Sequence, residues 1–192
     1  IGLVGSEMCI RDRYSLGHRH AAFISTPMDQ TTLARKQRLE GLRQRFHERG
    51  RQDGVETSVE ALVAPDSREE DGVGGSVPFE YATGARLARE LLAREHRATA
   101  LVGANDMIAI GVISVLREKG LRVPEDYSVI GFDDLEVSQY LTPGLTTVRQ
   151  QISLKGQKAV ELLLKHIEDP ALTKQEEILP LQLVERESVR TI

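Results

Sequence analysis

The residues best suited to chemistry stand in two short clusters, Gly131-Phe132-Asp133-Asp134 and Asn105-Asp106. A short apolar run, Ser128 to Gly131, precedes the first cluster and predicts a strand that ends where the two carboxylates begin. Open parallel α/β sheets take ligands beyond the carboxyl ends of their strands, and a carboxylate there can accept two hydroxyl hydrogen bonds. Asp133 or Asp134 could equally cap backbone N–H groups in a turn. Asn105-Asp106 repeats the arrangement one strand earlier, with Asp106 suited to the N-cap of the next helix and Asn105 left to face the cleft. Phe79, an aromatic just before a helix, could stack on a sugar or base, or pack beneath the polar loop that precedes it. The helix entry Thr31-Thr32-Leu33-Ala34-Arg35-Lys36-Gln37-Arg38 brings guanidinium groups towards the first strand end, although most Arg residues on such helices are simply solvated.

Other chemistries have no residues to carry them. The sequence holds no Gly-rich phosphate loop of standard spacing, no paired His at metal-ligand spacing and no Gly-x-Ser-x-Gly elbow. His18 and His20 flank a strand entrance without a third ligand type nearby, which reads as surface or turn positions rather than a metal site. No cofactor is expected, and no nucleophile–base pair supports an enzyme.

The elements that must position these residues alternate. Strands are predicted at His20 to Ser25, Val59 to Val63, Thr99 to Gly103 and Ser128 to Gly131, with helices near Thr31 to Glu48, Tyr81 to Arg94 and Asp106 to Lys119 between them. Helices of this length cross over between parallel strands, so the order predicts a sheet covered on both faces. After Thr142-Pro143-Gly144 comes an extended Leu145 to Val148, a helix from Ser153 to Ile167 and a last strand in Glu177 to Val184. Residues 64–75 carry five charges and three glycines without a period, the signature of a surface loop. The helix after Asp106 is apolar all round, which calls for a second cover, either a neighbouring element of the same chain or, the reading preferred here, another subunit.

The bulk composition narrows the partners. The chain has 192 residues, 25 Lys+Arg against 29 Asp+Glu and a net charge of -4; its pI is near 5.8 and its mean hydropathy is -0.28. That size suits one compact domain or two small lobes. Without clustered basic residues there is no large nucleic-acid surface, and no apolar run reaches the roughly 18 to 20 residues that cross a bilayer. One cysteine, Cys9, fits a reducing compartment and a cytoplasmic location. Residues 3–13 match, codon for codon, a transposon-end adapter used in sequencing libraries, which predicts that residues 1–13 are adapter-derived, that the gene fragment starts near Tyr14, and that Cys9 has no function.

From Tyr14 onward the chain resembles the effector-binding core of the LacI/GalR family of bacterial transcriptional repressors. The resemblance rests on Leu16-Gly17-His18-Arg19, Ala21-Ala22-Phe23-Ile24, Arg38-Leu39-Glu40-Gly41-Leu42, Ala104-Asn105-Asp106, the long block Val123-Pro124-Glu125-Asp126 through Gly131-Phe132-Asp133-Asp134, and Leu145-Thr146-Thr147-Val148. Glu185-Arg186-Glu187-Ser188 looks like the family's ending. The resemblance implies a periplasmic-binding-protein-like (type I) doubly wound α/β fold: residues 14–144 as the C-terminal lobe, 145–184 as crossover plus a remnant of the N-terminal lobe, and 185–192 returning to the C-terminal lobe. It implies a fragment without the helix-turn-helix head, so that operator DNA is met only through the missing part. It further implies that Asp133 receives ligand hydroxyls, Asn105 faces the cleft, Phe79 stacks and Gln150 lies beside the pocket. The ligand-contacting Arg falls in the helix entry, assigned to Arg35 rather than Lys36 because the segment from Pro27 to Gly41 is longer than usual. Homodimerisation through Ile110, Ser114 and Tyr140 follows from the same resemblance. The implied function is sensing of a small effector, a sugar or related metabolite; the alternative is a periplasmic sugar-binding protein serving a transporter.

Overall fold

The computed structural model describes Tyr14 and residues 16–28, 32–65, 78–169, 171, 173 and 177–192. The adapter-like residues 1–13, the helix start at Thr31 and nearly all of the expected loop at 64–75 lie outside the described residues.

The alternating pattern produces an alternating fold. Strand β1 (His20–Ser25) is followed by α1 (Leu33–Asp53), β2 (Ser58–Val63), α2 (Phe79–Leu92), β3 (Ala100–Gly103), α3 (Asp106–Glu118) and β4 (Ser128–Ile130). The four strands form one parallel sheet in the order β2-β1-β3-β4. β1 and β3 sit in the middle; β3 (Ala-Leu-Val-Gly) and the Ala21–Ile24 centre of β1 are apolar and buried, as in strands covered on both faces. The expected strands agree with these to within a residue or two. The first helix runs five residues beyond the expected Glu48, because Phe46 and Gly50 still face the core and no breaker intervenes until Gly54 closes the helix in the left-handed conformation at φ 66°.

The all-round apolar helix finds its cover within the chain. α3 packs on β3 and β4 beside α2, which packs on β1, and the two helices approach so closely that a Cβ on Gly84 would meet the Ile108 carbonyl oxygen at 2.2 Å. Among the residues of α3, Ile108, Ala109, Val112, Val115 and Leu116 are fully buried. Its composition therefore does not by itself require a second subunit, which removes that ground for preferring one.

Beyond β4 the chain makes a short 3-10 turn (Glu136–Gln139), then β5 (Thr147–Arg149), α4 (Ile152–Glu168) and β6 (Gln182–Val184). β5 and β6 pair antiparallel as a separate two-stranded sheet. The expected strand over Glu177 to Val184 forms only at its last three residues, where β5 offers a partner. The chain end then returns to the first sheet: the Val129 N–H donates to the Ser188 carbonyl at 2.8 Å and the Ile192 N–H to that of Leu16 at 2.8 Å. His18 is buried below the strands, with its ring nitrogens 2.8 Å from Thr99 Oγ1 and 2.9 Å from Ser128 Oγ. It is a structural residue rather than a metal ligand, and no cluster of metal-ligating side chains occurs among the described residues. No described helix is long and apolar enough to cross a membrane.

Candidate functional site

Parallel order puts the carboxyl ends of β1, β3 and β4 side by side, and the predicted residues gather there. The chain leaves β4 through Gly131 and Phe132 into Asp133 and Asp134, both in the positive-φ region at 111° and 53°. A non-glycine residue in that region costs on the order of 1 kcal/mol or more and persists only where its surroundings hold it. Here they do. The Asp133 N–H donates to the Val148 carbonyl at 2.9 Å, the backbones of residues 133 and 149 pair as an isolated parallel β-bridge, and the Leu135 N–H donates to Asp106 Oδ2 at 2.7 Å.

The two carboxylates face different partners. Asp133 Oδ1 accepts from Gln150 Nε2 at 2.6 Å and lies 3.9 Å from Arg38 Nη2. Burial pushes the Asp133 pKa up, opposed by the Arg38 charge and the Gln150 hydrogen bond. Asp134 pairs with Arg186 at 2.7 Å and Arg149 at 2.6 Å. Burial alone would raise its pKa; the two guanidinium groups outweigh that and hold it below the ordinary value. The turn-capping alternative thus fails for Asp134, whose carboxylate is an ion-pair centre joining the turn to β5 and to the chain end. The Asp133 carboxylate meets the side chains of Gln150 and Arg38.

Asn105, not Asp106, takes the capping part. Asn105 is the N-cap of α3, its Oδ1 accepting from the Ile108 N–H at 2.9 Å, which leaves its amide nitrogen as the group available to a ligand. Asp106 does not cap the helix. It is fully buried in the first turn, and its carboxylate accepts from the Thr147 hydroxyl, from Ser138 Oγ at 2.7 Å and from Leu135 N–H. Those three donors lie on segments that follow β4 and reach the carboxylate only in the folded chain, so a helix-start rule cannot foresee them. Burial raises the Asp106 pKa against those hydrogen bonds.

The basic contact also moves. Arg35 donates to Thr26 Oγ1 at the end of β1, while Arg38 reaches the centre. The Arg38 guanidinium lies 3.5 Å above the Phe132 ring, donates to the Ala104 carbonyl at 2.6 Å, and approaches Asp133. Arg38 opens the Arg38-Leu39-Glu40-Gly41 block and stands one turn after Arg35 on the same helix face, the signal by which it could have been found. Phe79 is the first residue of α2, 38% exposed, and no ring contact joins it to this group among the described residues. A separate cavity of about 220 Å³ lies beneath the chain end, lined by residues including Leu16, Thr146 and Arg186, and none of the candidate residues faces it.

The expected interface residues lie apart from this group. Ile110 and Ser114 are half-buried on α3, and Ser114 Oγ accepts from the Tyr81 hydroxyl at 2.7 Å. Tyr140 is 70% exposed after the 3-10 turn and donates to Glu136 at 3.2 Å.

Residues 11–189 match the family described as periplasmic binding protein-like domain. The chain belongs to that family. As a periplasmic-binding-protein-like domain it is 33% identical over 186 residues to the ribose operon repressor of Escherichia coli (strain K12), covering 97% of this chain and 51% of the repressor. It is 41% identical over 114 residues, 59% of this chain and 34% of the relative, to the HTH-type transcriptional repressor PurR of Vibrio atlanticus (strain LGP32). The structure of a LacI family transcriptional regulator from Enterococcus faecalis V583, with bound ribose, superposes with a TM-score of 0.78 at 27% identity, over 98% of this chain and 61% of that one. The chain spans about half the length of the ribose operon repressor it matches.

Proposed function

We propose that this periplasmic-binding-protein-like domain is the effector-sensing and dimerising part of a LacI-type transcriptional regulator, working in the cytoplasm. A small polar molecule, a sugar or related metabolite, binds at the carboxyl edge of the parallel sheet. By favouring one arrangement of the lobes it shifts the regulator between DNA-bound and released states. The domain performs no chemistry and needs no cofactor. The observation that carries this reading is Asp133: a half-buried carboxylate at the end of β4, held out of ordinary backbone geometry, with Arg38 and Gln150 against it and the Asn105 amide at the end of the neighbouring strand. The repressors among its relatives favour a regulator over a transporter's sugar-binding protein.

Residues 14–144 then form one lobe, 145–184 the crossover with part of a second lobe, and 185–192 the return. The relatives' greater length, together with the uncovered apolar stripe of α4 (Val160, Leu163, Leu164 and Ile167), supports a second lobe completed from outside these residues. Operator DNA is contacted by that outside part. Two subunits meet through Ile110, Ser114 and Tyr140.

The experiment is calorimetric titration of a panel of pentoses, hexoses and their derivatives into the protein of the complete reading frame, wild type and Asp133→Ala. Each charge-assisted hydrogen bond contributes about 1.5–3 kcal/mol, so a panel member that binds should bind at least tenfold more weakly to the variant. Equal affinity for both proteins would return Asp133 to a purely structural role, and silence across the whole panel would overturn sugar sensing.

A further inference from the structure

The turn that carries Asp133 is anchored at both ends to one residue. Its leading carbonyl, that of Phe132, accepts from the Asp106 N–H at 2.8 Å, and its trailing N–H, that of Leu135, donates to Asp106 Oδ2 at 2.7 Å. Between these two bonds stand Asp133 and Asp134, both at positive φ. The Asp134 N–H adds a third route: it donates to Thr147 Oγ1 at 3.3 Å, and the Thr147 hydroxyl donates on to Asp106 Oδ1. Ser138 Oγ donates to Oδ2 at 2.7 Å, so the carboxylate gathers donors from the turn, from β5 and from the 3-10 turn beyond it. Gly131 makes room for this. A Cβ there would meet Asp106 Oδ1 at 2.1 Å, so glycine is what lets the carboxylate lie against the start of the turn.

Asp106 is itself fully buried and offers nothing to a ligand directly. Two consecutive non-glycine residues at positive φ form an unfavourable backbone, kept only where the surroundings impose it. The Asp133 side chain leaves from that backbone, so an effector meets a prepared carboxylate only while the turn is held. We propose that Asp106 is a positioning residue for effector binding: by bracketing Phe132 to Leu135 it fixes the backbone that presents Asp133, without touching the ligand. This rests on the effector-site reading above and gives a buried carboxylate a part in affinity as well as in stability.

The test separates affinity from stability in the protein of the complete reading frame. Ribose, arabinose, xylose, glucose, galactose and gluconate are titrated calorimetrically into wild type. The tightest binder is then titrated into Asp106→Ala, Asp106→Asn, Gly131→Ala, the Asp106→Ala/Gly131→Ala pair and Leu91→Ala, at a temperature where thermal unfolding shows each to be folded. Leu91 is the control: it is fully buried in the last turn of α2, from which the chain returns to the amino end of β3, the edge of the sheet opposite Asp133. Asp106→Ala should bind at least about fivefold more weakly, because only the fraction of molecules with the turn in place is competent. Asp106→Asn should recover most of that, since its oxygen can take the Leu135 and Ser138 donors while its amide donates to the Thr147 hydroxyl. Gly131→Ala displaces the carboxylate without removing it and should lose affinity as Asp106→Ala does, with the pair no weaker than either alone. Leu91→Ala should lose stability and keep its affinity. Folded Asp106→Ala or Gly131→Ala binding within about twofold of wild type overturns this inference while the effector site stands, as does an equal loss in Leu91→Ala. Should Asp106→Ala not fold, Gly131→Ala decides. Silence from every sugar with wild type overturns the effector-site reading and this inference with it.

Discussion

The two sheets of this molecule obey the same sequence rules and end in opposite states. In the four-stranded sheet and its helices, apolar periodicity is met by a partner: α3 presents Ile108, Val112, Val115 and Leu116 to strands and to α2, and all four are fully buried. In the two-stranded sheet and its helix the periodicity is as clear. Val160, Leu163, Leu164 and Ile167 fall at helical spacing along one face of α4, yet each is more than half exposed and the helix buries no residue at all. An amphipathic stripe records that a surface is to be covered and says nothing of what covers it. The first region carries its own core; the second is a folded edge whose apolar stripe no described residue buries.

The largest expected effect tests the self-sufficient side. Leu101 lies in β3, fully buried among the residues of the main core. Removing its side chain combines lost burial with a residual cavity, so Leu101→Ala should cost about 3 kcal/mol in denaturant unfolding. A loss below about 1 kcal/mol would mean that the sheet is not the stable half. Next is the carboxylate that joins the halves. Asp106→Ala leaves the Leu135 N–H and the Thr147 and Ser138 hydroxyls without their acceptor in a buried place, for about 2–3 kcal/mol, since the hydroxyls can turn to other partners and the N–H cannot. Asp106→Asn keeps one acceptor and should cost less. If both variants are neutral, the two regions are not coupled through α3.

A smaller effect comes with acid. The Asp134 pKa is depressed in the folded chain, so its ion pairs contribute stability above the unfolded value and lose it as pH falls through the folded one. Stability should fall steadily from pH 5 to pH 2 in wild type and less steeply in Asp134→Asn, which is already deprived of the pairs at neutral pH. Asp106 and Asp133 act with the opposite sign, since burial raises both pKa values and their ionisation costs stability as pH rises. Parallel acid profiles for wild type and Asp134→Asn would remove the ion-pair hinge between the turn, β5 and the chain end.

The sequence made the first region readable and the second only in outline. The run His20–Ser25 has an apolar centre, Ala21 to Ile24, closed at each end by a polar residue, so its limits were visible, as was the position of Asp133 past β4. The roles of Asn105 and Asp106 were not, because which of two adjacent polar residues caps a helix depends on what the other finds across space. Asp106 finds Thr147, some forty residues away. Helix spacing puts Arg35 and Arg38 on one face and does not rank them; in the structure Arg38 comes to 3.9 Å from Asp133 while Arg35 donates to Thr26. The extended Leu145 to Val148 and the strand in Glu177 to Val184 were expected, but their pairing was not, because runs this short carry too little pattern to name a partner or a register.

The smallest expected effect is the one that most sharpens the contrast. Leu163 is 60% exposed in the middle of α4, so Leu163→Ala removes little buried surface, and Ala is at least as good a helix former as Leu. In a protein comprising residues 14–192 the substitution should move the unfolding free energy by no more than about 0.5 kcal/mol, against the several expected at Leu101. In the complete reading frame the same substitution should cost about 2 kcal/mol if the stripe is covered there, because the side chain would then be lost from a packed interface. The difference between the two backgrounds is the measurement, since it cancels any intrinsic effect on the helix. An equal and small cost in both would mean that the stripe faces water in the whole protein, and α4 would then have to meet another molecule or none. An equal and large cost in both would mean that α4 already packs within residues 14–192, and the two regions would cease to differ.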